Sequence, residues 1–562
     1  MENREDLNSI LPFLPLLIRS STLFWPSQVV QTLKELSQGP HLSNVKSGEL
    51  LFFAISDLRN SLSLSTQSLA SSAQHGYALY FDELISRAES AKWFGEVLPA
   101  LANLLLRLPT LLESHYQNAD NLLDGVKTGL RFLGPQQAGI VYLNQELIGA
   151  LLACAFFCLF PVAGRDVKHL PMINFDQLFE TLYDSYSEKQ EDKIKCIMHY
   201  FERICLSTPV GFVSFERKVL SLEQLTKCIS YPNADFWYKS VAPLCSFEVC
   251  DSGLIEDQAS EALEVDFANM YLGGGALRSG CVQEEIRFMI NPELIAGMFF
   301  LPCMEDNEAI EIVGAERFSD YRGYASSFRF SGNYVDKSNY DCFGRRKTRI
   351  VAIDALCSPG LRQFKLKYLL REVNKAFCGF ADKSKYSQYE ILIQDCGVQG
   401  ARSNLDDRDI KFTSGDNFLS NEARSAPIEN DTCEGKLING MVGESDKKSS
   451  SYPHVEDRIG IATGNWGCGA FGGDPEVKAI IQWLAASQAL RPFILYYTFG
   501  TSALKNLDKV SQWIMSHEWT VGDLWNMLVE YSYQRFNRET KVGFFTWLLP
   551  SPIPHQASTS NV

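Results

Sequence analysis

The chain has 562 residues, 46% of them hydrophobic and 12% aromatic, and a formal net charge of −15. That length exceeds one compact core and predicts two mostly folded structural units. The acidic balance excludes broad, non-specific polyanion binding, which needs a basic surface; it leaves room for a narrow site where backbone N–H groups hold one or two phosphates.

The opening MENREDLNS is acidic and polar and lacks a basic n-region, so no export signal is expected. Fifteen cysteines, none in a CxxC pair, lie scattered through apolar segments such as those around Cys154, Cys158 and Cys196. Such usage predicts reduced, buried thiols in an intracellular protein. No ligand cluster has zinc spacing, and no metal site is expected.

Residues 1–205 read as a helical accessory domain. Val97, Leu101, Leu104, Leu105, Leu108, Leu111 and Leu112 form one apolar face. Phe175, Leu178, Phe179 and Leu182 form another, and Ile194, Met198, Phe201 and Ile204 a third. The 17 residues from Leu147 to Ala163 are apolar, but Pro161 breaks them and Gln145 and Glu146 precede them. A membrane span needs about 20 apolar residues, so a buried helix is expected.

From residue 206 to 540 the pattern is that of an α/β domain. Short runs at Gly211–Phe215, Leu263–Phe267, Ile310–Val313, Arg349–Ile353, Gly460–Ala462 and Phe493–Thr498 read as strands. Helical stretches over Gln363–Phe377, Pro475–Leu490 and Val521–Arg535 lie between or after them. Alternation of this kind predicts a three-layer domain with a mixed sheet. The basic run Arg345, Arg346, Lys347 and Arg349 resembles a localisation patch, but it leads into a strand and reads as a solvated strand entrance. Residues 398–457 are rich in Ser, Asn, Asp, Gly and Lys and read as a disordered or loop insertion. Residues 541–562 read as a C-terminal tail.

The most informative segment is VDFANMYLGGGALRSGCVQEEIRF, starting at Val265. Gly273, Gly274 and Gly275 allow close backbone approach and expose N–H groups, which suits a phosphorylated ligand. Gln283, Glu284 and Glu285 follow, and carboxylates beside such a loop suit acid/base chemistry. Adjacent residues on a helix point about 100° apart, so the two acids should take different parts rather than act as a symmetric pair. Mutual repulsion and burial would raise the pKa of one of them. The plainer alternative is an acidic helix start. A second glycine-rich stretch, GNWGCGAFGGD from Gly464, ends in Asp474 and Pro475, a helix N-cap and first position. A glycine turn into a helix N-terminus is an anion site. Tyr321, Tyr324, Phe471 and Phe499 supply aromatic faces suited to a nucleobase, or are routine core aromatics.

In order along the chain, LLACAFFCLFP (151–161), the Gly-Gly-Gly…Gln-Glu-Glu segment, YRGYASSFR (321–329), IVAIDAL (350–356), GNWGCGAFGGD (464–474) and YYTFG (496–500) resemble the poly(ADP-ribose) glycohydrolases. The resemblance covers roughly residues 90–535. It implies a macrodomain-like catalytic domain with a helical accessory layer, and hydrolysis of ribose–ribose O-glycosidic bonds with release of ADP-ribose. Glu285 matches the residue that protonates the leaving ribose oxygen; Glu284 and Asn269 match residues that bind the reacting ribose. Asp266 matches an acid at the site's edge, whose plain alternative is a satisfied turn acid. Gly273, Gly274, Gly275, Gln283, Tyr321, Asn465 and Gly469 are expected to bind substrate. Tyr324 and Phe499 are expected to line an adenosine pocket, and Phe471 to pack on the ligand. The resemblance further implies no cofactor and no metal, poly(ADP-ribose) and poly(ADP-ribosyl)ated proteins as partners, no membrane or direct DNA binding, a monomer, and residence in nucleus and cytoplasm. The rival expectation is a non-catalytic ADP-ribose reader that uses the same loops without Glu285.

Overall fold

The computed structural model describes residues 2–223, 228–258, 261–385, 388–389 and 459–549. The insertion expected at 398–457 lies outside the described residues, as does the end of the tail from 550 onward.

A small antiparallel pair, β1 (Leu17–Arg19) and β2 (Thr22–Phe24), precedes the main sheet. The main sheet contains β3 (Gly139–Asn144), β4 (Phe212–Val219), β5 (Ser246–Cys250), β6 (Ala262–Ala268), β7 (Glu308–Val313), β10 (Arg349–Asp354), β11 (Gly460–Thr463) and β12 (Phe493–Tyr497). A two-stranded hairpin, β8 (Ser319–Arg322) and β9 (Arg329–Asn333), stands apart. Strand order in the main sheet is β3-β4-β7-β10-β6-β11-β12-β5. The β3, β4, β7 and β10 neighbours pair antiparallel, and β10, β6, β11, β12 and β5 pair parallel. This is the mixed sheet that the alternating pattern predicts.

Both faces of the sheet are covered, because its strands are apolar on both sides. Along β10, Ile350 and Ala352 join one core and Val351 and Ile353 the other, as the two-residue period of a strand requires. The first core holds the N-terminal helices together with Phe215, Ile310 and Ile312. The second holds helices Leu366–Phe380, Pro475–Gln488 and Val521–Phe536. The apolar run after Leu147 forms the helix Gln145–Phe156, every residue of which is buried except the partly covered Glu146. Among the described residues one helical run, Arg87–Asn118, is long and apolar enough to cross a membrane. Its Leu98–Asn118 portion packs against helices Ser27–Ser37 and Gln145–Phe156.

Three features differ from the sequence reading. Residues 1–205 are not wholly helical: β3 comes from this region and forms an edge of the main sheet. Its apolar GIVYLN runs straight into a helix without a turn signal, which hides it in the sequence. The expected tail begins as structure, since Phe544 and Phe545 are buried and the Phe545 N–H donates to Glu476 at 2.6 Å. The basic run is neutralised locally: Arg345 pairs with Asp341, Arg346 with Glu316, and Lys347 with Glu261.

Candidate active site

The site lies at the carboxyl ends of the parallel strands, where open α/β sheets place their ligands. Strand β6 ends at Ala268, and the chain turns through Asn269–Gly275 before entering the helix Gln283–Ile290. Glu284 and Glu285 therefore occupy the first turn of that helix, where the helix dipole favours negative charge.

The turn closes on these two carboxylates. Glu284 accepts from the N–H groups of Asn269 at 2.9 Å and Gly273 at 2.7 Å. Glu285 accepts from Gly275 at 2.9 Å and from Val282 at 2.8 Å. The remaining glycine amide, that of Gly274, donates to the carbonyl of Tyr271 at 2.9 Å. This corrects the expectation that the triple glycine grips a phosphate: all three amides bind within the protein, and two of them orient the acids. The glycines are needed for closeness. Gly273 and Gly274 have φ of +85° and +48°, and a Cβ at Gly274 would stand 2.6 Å from Glu284 and 2.8 Å from Glu285.

Asp266 stands on β6 and is 1% exposed, rather than at a turn or at the site's edge. Its Oδ1 has no hydrogen-bond partner among the described residues. Burial and then the charge of Glu285 push its carboxyl up to about 8, against the pull of Arg287. Burial, Asp266 and Glu285 also push the Glu284 carboxyl well above the usual range, opposed by the amides of Asn269 and Gly273. Asp266 and Glu284, both dry and both pushed up, do not ionise together near neutral pH, so the pair retains a proton. Glu285 is 7% exposed and Glu284 2%, which leaves Glu285 the better placed to meet a ligand.

Beside the carboxylates opens a cleft of ≈ 520 Å³. Of the expected residues, Gln283, Tyr321, Tyr324, Asn465, Gly469, Phe471 and Phe499 line it. Tyr324 and Phe499 are 54% and 46% exposed, so they are not core aromatics. Burial pushes the Tyr324 phenol's pKa up, the neighbouring Gln283 main chain opposes that rise, and the charge of Glu285 adds to it. Phe499 has φ +49° and stacks on Tyr497 with ring centroids 6.2 Å apart. Tyr321 is tied differently, its hydroxyl donating to Glu256.

Two expected binders have their side chains occupied by the fold. Gln283 accepts from Phe267 N–H at 2.8 Å and donates to the Val265 carbonyl at 3.1 Å, which fastens the helix to β6. Asn465 donates to the Thr498 carbonyl at 3.0 Å and to Thr501 at 2.8 Å, joining the two loops of the cleft.

The second glycine loop does present free amides. Among the described residues, the N–H groups of Gly469, Ala470 and Phe471 have no hydrogen-bond partner. The following helix is capped as expected: Asp474 accepts from Glu476 at 3.0 Å and Val477 at 3.2 Å, with Pro475 at the first position. Because Asp474 closes that N-terminus, the amides left open here are those of the loop and not those of the helix end.

Comparison with known proteins agrees with this geometry. The model for the poly(ADP-ribose) glycohydrolase macro domain fold matches residues 234–506, and that for the family's helical domain matches residues 85–217. The chain is 60% identical over 551 residues to poly(ADP-ribose) glycohydrolase 1 of Arabidopsis thaliana, covering 98% of both chains. The chain belongs to the poly(ADP-ribose) glycohydrolase family. It is also 54% identical over 552 residues to probable poly(ADP-ribose) glycohydrolase 2 of the same plant, covering 98% of this chain and 99% of the relative. A Caenorhabditis elegans poly(ADP-ribose) glycohydrolase 1 is 29% identical over 350 residues, 60% of this chain and 35% of that one.

Within this glycohydrolase site, sequence reasoning missed Arg287 and Glu256. Arg287 lines the cleft and pairs with Glu264 of β6 at 2.5 Å, so its charge sits between strand and helix beneath the carboxyls. Its place one turn after Gln283 on the same helix is the only signal the sequence offered. Glu256 comes from the short turn Ile255–Asp257 before β6, outside the quoted motifs, and nothing in the sequence links it to Tyr321.

Proposed function

We propose that this chain hydrolyses the ribose–ribose O-glycosidic bonds of poly(ADP-ribose) and releases ADP-ribose. The observation that carries the reading is the pair Glu284–Glu285, fixed by main-chain amides beside a cleft with aromatic walls. In this reading Tyr324 and Phe499 enclose the adenine, and the amides of Gly469–Phe471 take the diphosphate. Glu284 and Asn269 hold the ribose. Glu285 gives its proton to the leaving ribose oxygen as the glycosidic carbon becomes oxocarbenium-like, then takes a proton from the attacking water. Asp266, which shares the buried proton, supports protonation of the cluster.

A narrow cleft accounts for polymer binding by an acidic protein, since contacts are made one unit at a time rather than along a basic track. A reader module has no use for three buried carboxyls in mutual repulsion, so the enzymatic reading is preferred. Poly(ADP-ribosyl)ated proteins are its proposed partners and the nucleus and cytoplasm its proposed compartments. Incubation with labelled polymer tests the proposal: an enzyme shortens the polymer, and a reader leaves its length unchanged.

A further inference from the structure

We propose that Lys193, on the helix Glu188–Leu206 of the N-terminal layer, is a positioning residue for Glu285. The proposal rests on the reading of Glu285 as the proton donor.

Lys193 is wholly buried, yet among the described residues its ammonium pairs with no carboxylate. Its Nζ donates instead to two main-chain carbonyls, those of Arg278 and Gly280, each at 2.6 Å. A buried ammonium without a counter-ion is costly to keep. Burial pushes its pKa down to about 8, while the nearby Cys281 and Glu285 oppose that fall.

The two carbonyls belong to the stretch that supports the catalytic acid. The N–H groups of Arg278 and Gly280 donate to the Gly275 carbonyl at 2.9 Å and 3.1 Å. The Gly275 N–H in turn donates to Glu285 Oε1 at 2.9 Å. Lys193 thus braces the residues that close on Gly275, and Gly275 seats the acid, so the link from Lys193 to Glu285 runs through the position of this loop. The fit is also steric, since a Cβ at Gly280 would stand 2.8 Å from the Glu285 carboxylate. Lys189, one turn earlier, donates to the intervening Ser279 carbonyl at 3.1 Å. One helix of the accessory layer therefore holds three consecutive carbonyls of the loop behind Glu285. The same helix also reaches the hairpin that carries Tyr321 and Tyr324, through Arg203 to Asn333 at 2.7 Å.

The test compares Lys193→Met, Lys193→Gln and Lys218→Met with the wild type. Lys218 serves as a control because its buried ammonium also holds two carbonyls, Gly379 and Ala381, with Glu311 as its counter-ion at 3.0 Å, beside a cavity lined by the starts of the parallel strands, away from the cleft. Polymer cleavage gives kcat and KM, and calorimetry gives the affinity for ADP-ribose. Lys193→Met should lose about 10- to 100-fold in kcat, the cost of a misplaced catalytic group, with ADP-ribose affinity within about threefold. Lys193→Gln keeps an uncharged amide donor on a shorter side chain and should lie between Lys193→Met and the wild type. Lys218→Met should hold kcat within about threefold.

Near-normal kcat in either Lys193 variant would overturn the proposal. So would equal losses of kcat and ADP-ribose affinity, or a kcat loss in Lys218→Met as large as in Lys193→Met. If Lys193→Met does not fold, Lys193→Gln alone decides by the same criteria. Failure of the underlying reading is separate: it would appear as full activity in Glu285→Gln, whatever Lys193 does.

Discussion

The main-chain N–H of Gly275 donates to Oε1 of Glu285 at 2.9 Å, and the neighbouring Gly274 has room for no side chain at all. The triple glycine is therefore a tool for seating carboxylates. A methyl group at residue 274 would meet both acids, in a left-handed conformation that L side chains rarely adopt. Gly274→Ala should lower kcat by roughly 10²-fold, as displaced catalytic groups do. ADP-ribose affinity should fall much less, because the cleft's aromatic walls come from other loops. Kinetics and calorimetry on one preparation check this, and wild-type kcat would refute it.

Asp266 makes a prediction about pH. Its carboxyl is held at about 8 in the folded chain, mainly by burial, against about 4 when unfolded. The folded state binds that proton more tightly. The stability it confers is complete below about pH 4 and is lost as the pH rises through 8. Within that window each pH unit is worth about 1.4 kcal/mol. Asp266→Asn should flatten the fall of Tm between pH 5 and 9, so that the variant gains on the wild type as pH rises. Parallel Tm profiles for the two proteins would show that Asp266 ionises freely.

The exposed aromatics should matter for ligand and little for folding. Base–aromatic stacking is worth about 1–3 kcal/mol per base. Tyr324→Ala and Phe499→Ala should each weaken ADP-ribose binding about 10-fold or more, with Tm nearly unchanged because both rings are about half exposed. Tyr321→Phe should do the reverse, since its hydroxyl is engaged with Glu256. Calorimetric titration with melting curves distinguishes the two patterns.

Much of this was legible in the sequence wherever a local rule governs. The strands at 263–267, 310–313, 349–353, 460–462 and 493–498 have short apolar runs, and Asp474–Pro475 marks a helix start by capping chemistry alone. The adjacent acids were legible as unequal, since helix geometry separates them. What was not legible depends on partners distant in sequence. The amides of Gly273 and Gly275 meet Glu284 and Glu285 only once the loop closes, so a ligand-gripping loop and a carboxylate-seating loop look alike as sequence. Strand β3 joins a sheet whose other strands begin 68 or more residues later, and no turn signal marks it. Lys193 and Glu256 touch the site across gaps that no spacing rule spans.

The central claim is that Glu285 moves the proton that breaks the glycosidic bond. Glu285→Gln preserves the side chain's size and one oxygen for the Gly275 or Val282 amide while removing the proton it can give. Polymer cleavage and ADP-ribose affinity should be measured on the same preparation of this variant. The account predicts a fall in kcat of roughly 10²–10⁴-fold, the usual worth of general acid–base catalysis, with ADP-ribose still bound. Near-normal turnover would contradict it and remove Glu285 from the mechanism.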